Sequence, residues 1–278
     1  MGKKIECLDL SKRTKKMLKE KFQEVENKSL GIIRIGEDGP SKVYVKKKDE
    51  ACKEVGVDSE IIILKEEATL KEVVNTIDEA CEKHTAVMVQ LPLPKHLQRF
   101  EQFILDRIPT LKDVDALRSN SFDYSDNIVA TGAGIMMILN SEDIETEGKD
   151  ILIIGRGKTV ALSMAKYLST RGNATVTVCH SKAKVESIAR HLKHSDIIIS
   201  AVGKSEFITE DMLGDQQVLI DVGMSRNAEG KLTGDFHSNC YEKSSFYTTT
   251  PGGTGVMTIT GLLMNLLVLA KRQEQHGK

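Results

Sequence analysis

Twice along this chain, short apolar strands alternate with helix-favouring stretches, and that alternation leaves few folds open. Leu30 to Ile35 reads as a buried strand, and a helix is expected from a Ser41 cap to about Val55. Glu60 to Leu64 reads as a strand, Leu70 to Lys83 as a helix, and Ala86 to Leu91 as a strand closed by Pro92 and Pro94. A charged amphipathic helix, Leu10 to Val25, precedes this set. The pattern restarts at the apolar strand Asp150 to Ile154, followed by a helix from Val160 to Ser169 and a strand from Ala174 to Val178. A helix from Ala183 to Leu192 and strands at Asp196 to Ser200 and Val218 to Val222 complete it. Parallel strands need crossover connections, and this order supplies them. The expected fold is therefore α/β, with two α/β domains separated by the irregular stretch Ser119 to Thr131.

Length agrees, because 278 residues suit about two domains. The charge balance of 39 basic against 40 acidic residues argues against a nucleic-acid binder, which needs surplus Lys and Arg on one surface. A hydrophobic content of 40% sets aside a disordered chain. The apolar run Gly261 to Ala270 is short and interrupted by Asn265, so no membrane span is expected, and the polar tail Arg272 to Lys278 is expected to fray. The N-terminal residues carry no apolar signal core. The five cysteines are scattered, with no Cys-x-x-Cys and no Cys/His cluster, so neither a disulfide frame nor a metal site is expected. A reducing cytoplasm fits this usage best.

Five short segments can carry chemistry. Ile154-Gly155-Arg156-Gly157-Lys158 places a glycine turn between a strand and a helix, where a pyrophosphate can rest on free N–H groups; an ordinary tight turn has the same residues. An NAD site usually offers an acid about 20 residues on, at the end of the next strand. Here that strand ends Cys179-His180-Ser181-Lys182, and Ser181, Lys182 and Arg156 suit a 2′-phosphate, so NADP is favoured and NAD is the alternative. Tyr44 and Lys48 are one helical turn apart, a spacing that serves acid–base work in a cleft or, within the run Lys46 to Lys48, a solvated face. Gln90, in Val89-Gln90-Leu-Pro-Leu-Pro94, ends a strand where α/β proteins bind ligands, and its amide can donate to an oxyanion. Lys112-Asp-Val-Asp115 and the glycine-rich run Thr250-Pro251-Gly252-Gly253-Thr254 are loops able to approach a ligand.

Taken in order, these blocks resemble the bifunctional methylenetetrahydrofolate dehydrogenase/cyclohydrolase family of the FolD type. They are Gly36-Glu-Asp-Gly-Pro-Ser41 with Tyr44 and Lys48, Val89 to Pro94, Lys112 to Asp115, Gly155-Arg156, Ala174 to Ser181, Asp221-Val-Gly223 and Pro251-Gly-Gly253. The resemblance covers essentially the whole chain. It implies a folate-binding catalytic domain from residues 1–118 plus 256–278, and an NADP-binding Rossmann-like domain from 119–255. The last helix, about Thr258 to Lys271, would pack back on the first domain. It further implies Lys48 as general acid/base of the cyclohydrolase step, Gln90 tuning it, Tyr44 stacking over the folate and Asp115 anchoring the pterin. Gly155, Arg156, Gly157, Ser181 and Lys182 would hold NADP, and Pro251, Gly252 and Gly253 would contact substrate with Tyr44, Gln90 and Asp115. Tetrahydrofolate one-carbon derivatives are the implied small-molecule partners, with a homodimer as the implied assembly and neither nucleic acid nor membrane.

The chain departs from the family pattern. Val129, Gly132, Ser163, Thr249 and Val256 stand where proline is expected, Gly157 where serine is expected, and Ala116 where glycine follows the Asp-Val-Asp. A Cβ at position 116 would strain the Asp115 loop if that residue takes a positive φ. The fold is unaffected by these changes, whereas a dehydrogenase with weakened cyclohydrolase and a non-catalytic folate- or nucleotide-binding protein stand as alternatives to the bifunctional enzyme.

Overall fold

The computed structural model describes residues 2–37, 39–119 and 127–276. Most of the linker stretch expected between Ser119 and Thr131, Asp38 of the turn before Tyr44, and the last two residues of the tail lie outside the described residues. The chain divides into two units, Met1–Ser11 with Thr131–Thr258 and Lys12–Ala130 with Ile259–Lys278.

The elements in chain order begin with strand β1 (Lys3–Lys4), helix α1 (Cys7–Gln23), β2 (Ser29–Ile35), α2 (Gly39–Glu54), β3 (Asp58–Leu64), α3 (Leu70–Lys83), β4 (Ala86–Val89) and α4 (Glu101–Asp106). Then come α5 (Ala130–Ser141), β5 (Asp150–Ile154), α6 (Ser163–Thr170), β6 (Thr175–Cys179), α7 (Val185–His194), β7 (Ile197–Ser200) and β8 (Val218–Asp221). The short strands β9 (Ser225–Arg226) and β10 (Leu232–Thr233), helix α8 (Cys240–Lys243), β11 (Phe246–Tyr247) and helix α9 (Thr254–His276) close the chain.

In the unit formed by residues 12–130 and 259–278, β2 lies between β3 and β4 in a three-stranded parallel sheet. Alternation along β2 divides the core. Leu30 and Ile32 pack with Leu18 and Phe22 of α1, Val45 and Cys52 of α2, and Leu262, Leu263 and Leu266 of α9. Ile33 and Ile35 face the other way, into Val73 and Ile77 of α3 and Ile104 of α4. Two apolar faces are what a parallel sheet requires. The start of α3 is fixed by a capping box, in which Glu72 N–H donates to Thr69 Oγ1 and Thr69 N–H donates to the Glu72 carboxylate. Ser41 does not cap α2, contrary to the sequence reading. The helix starts two residues earlier, at Gly39, and Ser41 is buried in its first turn.

Helix α9 is longer than the apolar run suggested. It continues through Gln273 and Glu274, which bond to Thr85 and Leu111 carbonyls and to the Glu26 N–H, so much of the tail expected to fray is tied down. By length and composition this helix could cross a membrane, yet Leu262, Leu263, Leu266 and Leu269 are wholly buried in the core just described.

In the other unit, six parallel strands run in the order β1-β11-β8-β7-β5-β6. Strand β1 pairs with β11, so residues 1–11 go with this unit, whereas the resemblance placed them with residues 12–118. After β5 the chain moves outward to β6 and then returns to β7 on the opposite side of β5. That reversal is a topological switch point, and it opens a crevice at the carboxyl ends of β5 and β7.

Asp221, at the end of β8, is fully buried, and burial pushes its carboxyl up to about 7. An acid that holds its proton more tightly when folded favours the folded state at low pH. Its contribution is therefore complete below about pH 4 and declines as pH rises to about 7, by at most about 1.4 kcal/mol per pH unit. Urea denaturation between pH 5 and 7.5 is expected to show a shallower loss of stability in Asp221→Asn than in the unaltered protein.

Candidate active site

Helix α2 places Tyr44 and Lys48 on one face, one turn apart. Neighbouring Lys46 and Lys47 are exposed, but Lys48 is only 5% exposed, which removes the solvated-face reading for this residue. Its Nζ donates to Gln90 Oε1 at 3.1 Å, lies 3.4 Å from Met88 Sδ and stands 4.0 Å from Asp115 Oδ2. An ammonium among a thioether, one amide oxygen and one carboxylate beyond hydrogen-bond reach is sparsely partnered for its burial. Structural buried lysines are normally paired more fully.

Gln90 follows β4 at its carboxyl end. Its backbone N–H donates to Ile33 O at 2.8 Å and its Nε2 to Leu91 O at 2.7 Å. The sequence suggested an amide free to donate to an oxyanion. The structure shows that one donor is spent on its own chain while the oxygen is turned to Lys48, because a lysine offers only donors.

The Lys112–Asp115 segment separates into support and function. Lys112 Nζ donates to His84 O at 2.7 Å, and the buried Asp113 carboxylate accepts the Arg118 N–H at 2.9 Å. Asn265 of α9 donates to Val114 O and to Ile128 O, both at 2.9 Å. These bonds hold the loop, and Asp115 is the residue of the four whose carboxylate faces Lys48. The polar interruption that counted against a membrane span is thus a clamp on this loop. Local pattern gives Met88 and Arg34 no site role, and Asn265 reads only as a polar break in an apolar run. Arg34 is one position beyond Ile33, which pairs with Val89, so it sits at the level of Gln90; it is 5% exposed, and its Nη1 has no partner among the described residues. A charged residue inside the otherwise apolar β2 was the available signal.

Ala116 has a φ of 53°, the strained conformation that glycine adopts freely. Ala116→Gly is therefore expected to raise stability by about 1 kcal/mol, read as a higher urea midpoint at unchanged slope. A lower midpoint would mean that the alanine methyl contributes more by burial than it costs in strain.

In the other unit, β5 ends in Gly155, with φ 129°. A Cβ here would come within 2.8 Å of Ala201 O, so the close approach of the two loops requires glycine. Gly157 is extended, nothing lies closer than 3.9 Å to the position of its Cβ, and no side chain caps the helical turn that follows. That turn, Lys158–Leu162, is a π-turn running into α6, where the sequence suggested an ordinary helix from Val160. Arg156 is exposed in the turn, and Ser181 and Lys182 are exposed just past β6, the strand beside β5. An uncapped helix start, open space at Gly157 and two exposed cations without a carboxylate at the end of β6 fit a dinucleotide carrying a 2′-phosphate.

Pro251, Gly252 and Gly253 form a turn closed by Thr254 Oγ1 donating to Asp221 O at 2.5 Å, and Gly252 has φ 92°. This turn belongs to the unit containing Gly155, whereas Tyr44, Lys48, Gln90 and Asp115 all belong to the other.

Two family models match the chain. The catalytic domain of tetrahydrofolate dehydrogenase/cyclohydrolase covers residues 5–115, and the NAD(P)-binding domain of the same enzymes covers residues 129–274. The bifunctional protein FolD of Agathobacter rectalis is 38% identical over 275 residues, covering 95% of this chain and 97% of that protein. The FolD protein of Moorella thermoacetica is 38% identical over 257 residues, 88% of this chain and 89% of its own. Among solved structures, the bifunctional FolD enzyme of Campylobacter jejuni superposes with a TM-score of 0.91 at 34% identity, covering 98% of this chain and 100% of that one. The Trypanosoma brucei FolD dehydrogenase-cyclohydrolase, complexed with NADP cofactor and inhibitor, gives 0.89 at 26% identity over 99% of each chain.

Proposed function

The chain belongs to the tetrahydrofolate dehydrogenase/cyclohydrolase family, and from that premise we propose how its residues divide the two reactions. The enzyme oxidises 5,10-methylenetetrahydrofolate to the 5,10-methenyl cation and hydrolyses that cation to 10-formyltetrahydrofolate. When bound, NADP supplies the hydride acceptor for the first reaction. Arg156, Ser181 and Lys182 receive its 2′-phosphate, and the N–H groups after Gly157 receive the pyrophosphate. Positioning then provides most of the rate, since hydride transfer needs no strong acid or base.

Hydrolysis rests on the unit of residues 12–130 and 259–278. Acting as the free amine, Lys48 takes a proton from the water that attacks the one-carbon bridge, and the ammonium so formed returns that proton to N5 as the bond from that carbon breaks. Of the two water protons, one ends on N5 and the other in solvent. Gln90 fixes the lysine through its amide oxygen, Asp115 holds the pterin edge beside it, and Tyr44 stacks on the ring. The observation that carries this assignment is a lysine 5% exposed, 3.1 Å from one amide oxygen and 4.0 Å from one carboxylate.

The test is methenyltetrahydrofolate hydrolysis with no nucleotide added. The protein is expected to clear the methenyl absorbance far faster than buffer. Clearance at the buffer rate would remove the cyclohydrolase and leave the dehydrogenase alone. Competition between the two nicotinamide cofactors is expected to favour NADP, and a tenfold or greater preference for NAD (about 1.4 kcal/mol) would overturn the reading of Ser181 and Lys182. A homodimer in the cytoplasm completes the proposal, with sedimentation equilibrium at twice the chain mass as its check.

A further inference from the structure

Beneath the crevice at the carboxyl ends of β5, β7 and β8 lie two carboxylates, Asp221 and Asp235, with no exposed surface. Buried acids are costly unless every oxygen is satisfied. Here Asp235 Oδ2 accepts from Ser200 Oγ at 2.7 Å and Val202 N–H at 2.8 Å, and Oδ1 accepts from Lys204 N–H at 2.8 Å. Asp221 seats its neighbour in turn, accepting the N–H groups of Asp235 at 3.1 Å and Phe236 at 3.3 Å. Two glycines admit the pair, since a Cβ on Gly223 would overlap the Asp235 carboxylate and one on Gly234 would overlap that of Asp221.

All three donors to Asp235 come from the end of β7 and the loop after it. Gly203, at φ 68°, reverses the backbone between Val202 and Lys204 and lets both N–H groups reach one carboxylate. Residues 202–204 are exposed while their anchor is not. The same loop carries Ala201, whose carbonyl crowds Gly155 so closely that no side chain fits there. Asp221 meanwhile receives the Thr254 hydroxyl on its backbone oxygen, tying in the Pro251–Gly253 turn. The Asp235 carboxylate thus fixes the 201–204 loop, while the Pro251–Gly253 turn is tied to the Asp221 backbone and not to either carboxylate.

We infer that Asp235, seated by Asp221, is a positioning residue for the dinucleotide: it holds the 201–204 loop against the Gly155 turn in the geometry that binds NADP. This rests on the proposed function, because it deepens the role of that same crevice. The loop needs an internal anchor because it is exposed and short of apolar contacts, so ordering it on binding would otherwise cost affinity.

Asp235→Asn is the central test, since an amide can accept at one oxygen but places N–H groups against N–H groups at the other position. In the nucleotide-free protein, the Val202 and Lys204 amides are expected to exchange with solvent at least tenfold faster. The NADP dissociation constant, measured by titration calorimetry, is expected to rise at least tenfold. Methenyl hydrolysis without nucleotide should stay within twofold of the unaltered enzyme. Ser200→Ala removes one donor and keeps the charge, so it is expected to weaken NADP two- to fivefold and serves if the asparagine variant does not fold. Unchanged NADP affinity in a folded Asp235→Asn or in Ser200→Ala would overturn the inference, as would equal losses in NADP binding and nucleotide-free hydrolysis. Failure of the unaltered protein to bind NADP would instead overturn the proposed function on which it rests.

Discussion

Lys48→Met is expected to lower the rate of methenyltetrahydrofolate hydrolysis by about 10²- to 10⁴-fold, the range that a positioned acid–base group supplies. Methionine keeps an unbranched, flexible stem, so the pocket beside Met88 is filled and the protein stays folded. Removing a buried, sparsely partnered ammonium also removes a desolvation cost, so the melting temperature is expected to hold or rise. NADP-linked oxidation of the methylene substrate should persist, because that reaction takes no proton from Lys48. The check is a pair of assays on one preparation, one with methenyl substrate alone and one with methylene substrate and NADP. Parallel loss of both would show that Lys48 serves substrate binding, and an unaltered hydrolysis rate would remove it from the mechanism.

The largest effect on stability is expected at Gly234. Its Cβ would occupy space held by the Asp221 carboxylate, which is itself fixed by the N–H groups of Asp235 and Phe236. Neither side can yield without breaking a buried hydrogen bond, so Gly234→Ala should cost about 3 kcal/mol or more. Gly157→Ala is the natural comparison, because its Cβ would meet nothing closer than 3.9 Å at an ordinary φ of −66°. Urea denaturation should show a large fall in midpoint for the first and almost none for the second. Equal midpoints would mean that the two acids and their glycines form a pliable network.

The layout of strands and helices was legible because burial in an α/β fold writes itself as apolar strands and amphipathic helices. Leu70–Lys83 and Asp150–Ile154 fall at the ends predicted from periodicity, helped at the first by the Thr69–Glu72 capping pair. Ser41 misled because capping chemistry is local, and the chain enters α2 from Gly39 instead. The π-turn at Lys158 left no periodic mark, since one inserted residue shifts a helix without changing its composition. Strand β1 was too short and too charged to read, being only an edge ribbon on β11.

Of the candidate site, residue identities were legible and partnerships were not. Tyr44 and Lys48 stood out by their spacing of one helical turn, Gln90 by its place at a strand end and Asp115 by its place in a loop. That Lys48 is buried while Lys46 and Lys47 are exposed depends on which face of α2 meets β2, a tertiary fact. Asn265 and Asp235 act through contacts 151 and 31 to 35 residues away in sequence, beyond any local pattern. Ala116 is a case where the sequence raised the right question. Its positive φ was anticipated as a condition, and the structure supplies the angle of 53°.

A coupled assay tests whether a single chain oxidises the methylene bridge and hydrolyses the product at Lys48. Methylenetetrahydrofolate and NADP are given to the purified protein, and reduced cofactor and methenyl product are followed separately. Reduced cofactor is expected to accumulate while methenyl does not, and in Lys48→Met methenyl is expected to accumulate in step with it. Stoichiometric methenyl from the unaltered protein, or no difference between it and the variant, would show that the chain does not hydrolyse the cation at Lys48.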